Sequence, residues 1–103
     1  MIEKKYLDVI EDNGWSVYED GNDVDISQYS PAGEDFSFSV YADNLVDDVA
    51  EYAESFDAEE HAAMWYEAGK RGARDVPSLR VLIDDADDIQ EMLDDLSKQL
   101  AAI

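Results

Sequence analysis

The chain has 103 residues, of which 46% are hydrophobic and 11% aromatic, and its formal net charge is −20. The length suits one domain with a modest core, but the charge lies far outside the magnitude of about 2 to 8 usual for a small domain. Such a charge steers a protein toward basic partners and away from nucleic acid and anionic membranes. The absence of cysteine excludes disulfides, thiolate metal sites and a cysteine nucleophile, and no segment approaches the roughly 20 apolar residues of a membrane span. We therefore expect one acidic domain over residues 1–103, located in the cytoplasm and without a cofactor or metal.

The chain opens with the pattern of a short helix followed by three strands. Residues 2–12 carry apolar side chains at helical spacing, and Asn13-Gly14 supplies a stop. From Trp15 the apolar period changes to two, and turn residues at 19–22 and 30–33 divide the stretch up to Tyr41 into three segments. Because both connections are short, the pattern predicts an antiparallel meander.

The alternation assigns the strand side chains to two faces. The apolar face should pack on helices and carries Trp15, Val17, Val24, Ile26, Phe36, Phe38 and Val40. The polar face should meet water or a partner and carries Tyr18, Asp25, Ser27, Tyr29, Ser37, Ser39 and Tyr41. Tyrosine supplies rigid amphipathic area, so Tyr29 and Tyr41 are candidate partner contacts unless a loop or helix covers them.

Helical patterns occupy the rest of the chain. Asp43 or Asn44 can cap a helix that extends to Phe56, and Asp57-Ala58-Glu59-Glu60 has the form of a capping box that begins another. The segment 69–77 should end that helix, and Val76-Pro77-Ser78 should begin the terminal one. The predicted fold is thus α+β, with an N-terminal helix, a three-stranded antiparallel meander, and two to four helices packed on one face of the sheet.

The terminal segment 78–103 has the most regular pattern in the chain. Its apolar residues follow alternating steps of three and four, a heptad spacing that predicts a helix with one narrow apolar seam. The seam consists of Leu79, Leu82, Ala86, Ile89, Leu93, Leu96, Leu100 and Ile103. The other side of the helix should carry seven carboxylates with no lysine or arginine among them: Asp84, Asp85, Asp87, Asp88, Glu91, Asp94 and Asp95. The run 84–87 consists largely of weak helix formers, so the sequence leaves open whether the helix breaks there into two pieces.

Four of these carboxylates share one helix face, and we name them the acidic stripe: Asp84, Asp88, Glu91 and Asp95. Four residues of helix rise about 6 Å, which is comparable with the spacing of phosphates along a nucleic-acid strand. Such a surface can imitate the charge that nucleic-acid-binding proteins hold with lysine and arginine, although a plainly solvated helix face is the alternative. Acidic residues of the helix predicted over 43–56 and of the sheet extend this surface. The candidate partner-binding set is Asp84, Asp88, Glu91, Asp95, Asp47, Asp48, Glu51, Asp23, Asp25, Tyr29 and Tyr41.

Other interpretations of the charge pattern are open at this point. Aspartate outnumbers glutamate by 17 to 10 and lysine is scarce, which also suits a halophilic protein whose acidity is global. Four of the seven basic residues gather in one cluster, Lys70, Arg71, Arg74 and Arg80. This cluster either neutralises nearby carboxylates or meets the acidic stripe of a second copy in a homodimer. The apolar seam offers a further route to self-association.

The residues offer little for catalysis or metal binding. His61 has no cysteine and no serine or aspartate at a local spacing suited to a triad, so we interpret it as structural. Asp23, Asp25, Ser27 and Glu34 match four positions of a calcium loop, but Gln28 stands where that loop needs glycine. We therefore predict that the protein is not an enzyme, and a small metal-dependent enzyme is the alternative.

The element order and the acidic surplus together resemble small phage-encoded anti-CRISPR proteins. The resemblance rests on the meander Trp15 to Tyr41 and on the acid-rich helices predicted over 43–56 and 78–102, without a diagnostic motif. Some of these proteins block a CRISPR nuclease by occupying its DNA-binding groove with carboxylates, and anti-restriction proteins work by similar logic. The resemblance implies a DNA-mimicking inhibitor from a phage or mobile element, with a basic CRISPR effector or restriction-type nuclease as partner. The alternative is an immunity or antitoxin-like protein that binds one basic partner through its tyrosine face.

Overall fold

The computed structural model describes residues 2–72 and 78–103, and within 69–72 it describes the backbone alone. Its elements, in chain order, are α1 (Lys4–Asp12), β1 (Ser16–Asp20), β2 (Asp23–Tyr29), β3 (Asp35–Tyr41), α2 (Leu45–Ser55), α3 (Ala58–Gly72) and α4 (Leu79–Ala101). A short 3-10 turn, Ala42–Asn44, joins β3 to α2. The α+β class, the N-terminal helix and the helices that follow the meander are therefore confirmed.

The sheet is antiparallel in the order β1-β2-β3, and its inner and outer faces match the sequence pattern. Asp20 pairs with Asp23, which leaves a two-residue hairpin turn with Gly21 at φ +63°. A glycine at the first position of such a turn suits the type II′ geometry that fits the twist of two strands. Along β3, exposed and buried residues alternate without exception, so one face of this strand is fully committed to the core.

The helices close the apolar face of the sheet. α1 packs against β1, α2 packs against β3, and α4 packs against the other three helices. The main core joins side chains of the sheet to side chains of α1, α2 and the C-terminal half of α4. A smaller cluster of Ala62, Leu82 and Ala86 joins α3 to the N-terminal half of α4. α4 thus runs across both clusters, and this position presents one side of it to solvent.

α4 is one continuous helix, so the break that the sequence left open at 84–87 does not occur. Ser78 caps it, with its hydroxyl accepting a hydrogen bond from the Val81 amide at 3.3 Å. Six of the eight seam residues are buried in the chain's own core, and the two at the ends, Leu79 and Ile103, are exposed. Because the middle of the seam is covered from within, it is not available for self-association.

α3 differs from the prediction at its C-terminal end. The helix continues through Gly69 to Gly72, whereas the sequence indicated an end at Gly69. A single glycine near the end of a helix costs only about 1 kcal/mol relative to alanine, which a continuing helix can absorb. The predicted break over 73–77, residue Arg74 and the side chains of Lys70 and Arg71 lie outside the described residues.

Candidate functional site

All four members of the acidic stripe are exposed on the side of α4 that faces away from the seam. The seam repeats every 3.5 residues on average, so the positions between its members point to the opposite side. Within residues 2–72 and 78–103, the ion pairs join Lys4 to Asp8, Lys5 to Glu3 and His61 to Glu34. No carboxylate of the stripe is therefore paired with a cation in the described part of the chain.

The charge density of α4 is close to that of one strand of DNA. Besides the stripe, Asp87 is exposed and Asp94 half-buried, which makes six solvent-facing carboxylates between Asp84 and Asp95. Eleven helical steps of 1.5 Å span about 16.5 Å, or roughly one carboxylate per 3 Å of axis. A strand of B-DNA carries one phosphate per about 3.4 Å of its axis. A rigid rod with nearly the charge spacing of a nucleic-acid strand therefore lies on the surface.

The seventh carboxylate of the run, Asp85, is buried, so the prediction that it lies on the solvent side of α4 is wrong. It is 6% exposed and accepts hydrogen bonds from the Ser30 hydroxyl at 2.6 Å and from the Ala32 amide at 2.9 Å. The Ser30 hydroxyl in turn accepts a hydrogen bond from the Glu34 amide at 2.9 Å. Asp85 thus ties α4 to the turn between β2 and β3, and it fixes the rotation of the helix that exposes the stripe.

The three carboxylates predicted on α2 are divided between surface and structure. Asp47 and Glu51 are exposed. Asp48 is half-buried and accepts hydrogen bonds from the Tyr41 amide at 2.9 Å and from the Asn44 side chain at 2.7 Å. Because both of its oxygens are engaged, Asp48 joins the end of β3 to the start of α2 and is less available to a partner than Asp47 or Glu51.

The remaining predicted residues lie on the outer face of the sheet. Tyr18, Tyr29 and Tyr41 are 67%, 70% and 57% exposed, so no described helix or loop covers them. The register places Tyr18 opposite Asp25, Tyr29 opposite Asp35 and Tyr41 opposite Asp23. The tyrosines therefore surround a centre of serines and Asp25 and do not form one aromatic cluster.

The eleven predicted residues do not form a single surface. The stripe belongs to the helix layer, whereas Asp23, Asp25, Tyr29 and Tyr41 lie on the face of the sheet turned away from that layer. The sequence could not separate these groups, because periodicity assigns side chains to the faces of each element but does not place one element relative to another. A flat partner can contact one of the two faces at a time.

His61 has a partner that local spacing could not indicate. Its Nε2 lies 2.8 and 3.0 Å from the two carboxylate oxygens of Glu34, 27 residues away in the sequence. The His61 ring also meets Phe36 and Phe56, with ring centroids 5.6 and 5.2 Å apart. Burial, and to a lesser degree the Glu34 charge, raise the pKa of the nearby Tyr52 phenol. The contact between His61 and Glu34 links α3 to the end of the β2–β3 turn, consistent with the structural role predicted for His61.

The calcium-loop spacing does not bring its carboxylates together. Asp25 is on the outer face of the sheet and accepts a hydrogen bond from the Ser39 hydroxyl, whereas Glu34 is buried against His61. Within the described residues, no group of three or more histidine or carboxylate side chains is placed to hold a metal ion. A cavity of about 390 Å³ lies between the N-terminal ends of α1 and α2, and neither His61 nor the stripe lines it.

The chain matches no protein-family model, no curated protein sequence and no solved structure. Among the described residues, no helix is both long and apolar enough to cross a membrane. Two exposed faces are therefore the candidate sites, the side of α4 that carries the stripe and the outer face of the sheet.

Proposed function

We propose that the protein is a non-enzymatic inhibitor that binds a basic, nucleic-acid-binding enzyme through α4 and imitates a nucleic-acid strand. The observation that carries this proposal is the row of six solvent-facing carboxylates on one continuous helix, unpaired at the stripe and spaced at nearly the charge interval of DNA. The partner class is a CRISPR effector or a restriction-type nuclease, as the resemblance to anti-CRISPR proteins implies.

Inhibition by this surface is competitive. Asp84, Asp88, Glu91 and Asp95 meet lysine and arginine side chains that otherwise hold phosphates. Long-range attraction between a −20 chain and a basic groove speeds association, and added salt screens it. Rigidity strengthens the competition, because the carboxylates are already in place and little ordering cost remains to be met on binding.

Charge reversal on the stripe tests the proposal. Asp88→Lys with Asp95→Lys changes the net charge from −20 to −16, since each substitution adds two charges. The matched control is Glu11→Lys with Asp12→Lys, which makes the same change at two exposed positions of α1. The assay is capture from a nuclease-treated bacterial lysate, followed by competition with duplex DNA and by DNA cleavage with the captured enzyme. We expect DNA to displace the partner, and the stripe variant, but not the control, to lose inhibition.

Two results would contradict the proposal. If the folded stripe variant inhibits as well as the native protein, the stripe has no part in the mechanism. If the control variant loses inhibition to the same extent, net charge and not the stripe accounts for binding, as expected of a generally acidic or halophilic protein.

The exposed tyrosines favour a second candidate, an immunity-like protein that binds one basic partner through the outer face of the sheet. Tyr29 and Tyr41 are exposed beside Asp35 and Asp23, so aromatic area and negative charge occur together there. Under this alternative, Tyr29→Ala with Tyr41→Ala weakens capture more than the stripe variant does, and duplex DNA does not displace the partner.

A further inference from the structure

The hydrogen-bond pattern of the sheet leaves one edge of β3 open. The Ser30 amide donates a hydrogen bond to the Glu34 carbonyl, and the Ala42 amide donates one to the Asn22 carbonyl. The residue pairs just beyond the two ends of the β2–β3 ladder are therefore both hydrogen-bonded pairs. Such pairs recur at every second residue of an antiparallel ladder. The even-numbered residues of β3 therefore bond to β2, and the backbone groups of Asp35, Ser37, Ser39 and Tyr41 point away from the sheet.

Only one of these outward amides is engaged by the described part of the chain. The Tyr41 amide donates to Asp48, which closes the C-terminal end of the edge. From Asp35 to Ser39, no hydrogen bond within the described residues engages the outward backbone groups, so this part of the edge is open.

A continuous acidic depression, here called the β3 trough, begins at this edge beside Ser39 and Tyr41 and continues along α2 to the start of α3. It consists of adjoining cavities of about 170, 220 and 200 Å³, and each shares lining residues with the next. Asp48, Glu51, Asp57 and Glu60 line it along its length. Tyr52 and Ser55 line its two larger cavities, and Phe56 and Met64 continue the apolar part. No lysine or arginine is among the lining residues that the structure describes.

We propose that the β3 edge is a docking site for an extended, arginine-containing segment of a partner protein, which adds to the sheet as a fourth strand. The backbone of the segment pairs with the free N–H and C=O groups from Asp35 to Ser39. Its alternate side chains enter the β3 trough, where a guanidinium stacks on Tyr52 and pairs with Glu51. The intervening side chains lie beside Ser37 and Ser39 on the outer face, where small polar residues fit.

The chemistry of the trough argues for a basic occupant and against a second copy of this chain. A second β3 strand would bring Asp35 and the trough carboxylates of two −20 chains together, and no lysine or arginine of the described residues lines the trough to offset them. Like charges across a strand pair are destabilising, whereas arginine offers a planar cation that satisfies both the aromatic face and the carboxylates. This site does not depend on the acidic stripe, so either proposal can fail while the other holds.

The test uses a short peptide in which arginine alternates with threonine, added to the full chain and followed by NMR hydrogen exchange. In the free protein we expect fast exchange at the Ser37 and Ser39 amides and slow exchange at Phe38 and Val40, since only the latter pair with β2. On binding, the Ser37 and Ser39 amides should slow by at least about tenfold. Binding without this slowing means attraction by charge alone and overturns the proposal, as does an absence of binding.

Matched changes in the peptide and the protein separate backbone pairing from charge. A peptide methylated at the amides of alternate residues should bind at least about tenfold more weakly when the methylated amides are those that face β3, a loss of about 1.4 kcal/mol. In the protein, Glu51→Lys should weaken binding by a similar factor. Glu54→Lys, an equal change on the same helix outside the trough lining, should alter it less than threefold.

The remaining outcomes are equally decisive. If Glu51→Lys and Glu54→Lys weaken binding of the peptide equally, the peptide does not bind in the trough and the proposal is contradicted. Slow exchange at Ser37 and Ser39 that appears with rising protein concentration and without peptide assigns the edge to a second copy and overturns the proposal. Asp88→Lys with Asp95→Lys should leave the slowing at both amides intact, so failure of the nucleic-acid mimic is distinguishable from failure at the β3 edge.

Discussion

Replacing the buried Asp85 by alanine should be among the most destabilising single changes on α4. The substitution removes two hydrogen bonds to a charged acceptor, at 2.6 and 2.9 Å, each worth about 1.5 to 3 kcal/mol. Alanine returns roughly 0.5 kcal/mol through its higher helix propensity, and one less charge relieves some repulsion. We expect a net loss of about 2 to 5 kcal/mol in the free energy of unfolding.

The neighbouring Asp84→Ala is the matched control, because it makes the same change in charge and propensity at an exposed position without a hydrogen bond. Urea denaturation of both variants, followed by circular dichroism at fixed ionic strength, gives the comparison. Asp84→Ala should change the free energy of unfolding by no more than about 0.5 kcal/mol, in either direction. If the two variants differ from each other by less than that, the hydrogen bonds to the β2–β3 turn do not hold α4, and the reasoning about its rotation is wrong.

Three further predictions concern the turns, the aromatic cluster and the net charge. Gly14 has a φ of +87°, and a Cβ there would lie 2.4 Å from Nε2 of the Gln28 side chain, whereas a Cβ on Gly21 (φ +63°) meets nothing within 4 Å. Gly14→Ala should therefore lower the thermal midpoint more than Gly21→Ala, and an equal loss would contradict the close approach. Because the pKa of the Tyr52 phenol is raised in the folded state, the stability contributed by the neutral phenol is fully present below about pH 10 and should be lost as the pH rises further. Tyr52→Phe should reduce this alkaline loss of stability, measured by urea denaturation. Added sodium chloride should raise the thermal midpoint of this −20 chain by screening its repulsion, and a fall would show that the charges are already compensated.

The acidic stripe and the β3 edge are suited to two different kinds of contact. The stripe on α4 is rigid, regular and purely acidic, which suits imitation of a phosphate backbone. The β3 edge combines free backbone groups with an aromatic and acidic trough, which suits a peptide segment. If both proposals hold, the protein competes for a nucleic-acid groove through α4 and also holds a basic strand or loop of the same enzyme at the β3 edge.

Local patterns in the sequence were sufficient for the elements and their faces. The period of two from Trp15 to Tyr41 predicted both faces of the sheet, because successive side chains of a strand point in opposite directions whatever they pack against. The heptad steps of the terminal segment likewise predicted that the stripe faces solvent, since a buried seam leaves the other side exposed, but they wrongly placed Asp85 on that side. Asp57 caps α3 as its local chemistry predicted, whereas Asn44 precedes α2 without a side-chain capping hydrogen bond.

Tertiary structure decided everything that depends on residues far apart in the sequence. Asp85 looks like its acidic neighbours, and only its approach to Ser30, 55 residues away, makes it a buried hydrogen-bond acceptor. Glu34 became the partner of His61 in the same way. The separation of the stripe from the tyrosines, and the trough beside β3, arise where α2 and α4 meet the sheet. Periodicity shows which side chains share a face of one helix or strand. The contacts that place one element against another involve side chains whose role is not visible in the local sequence.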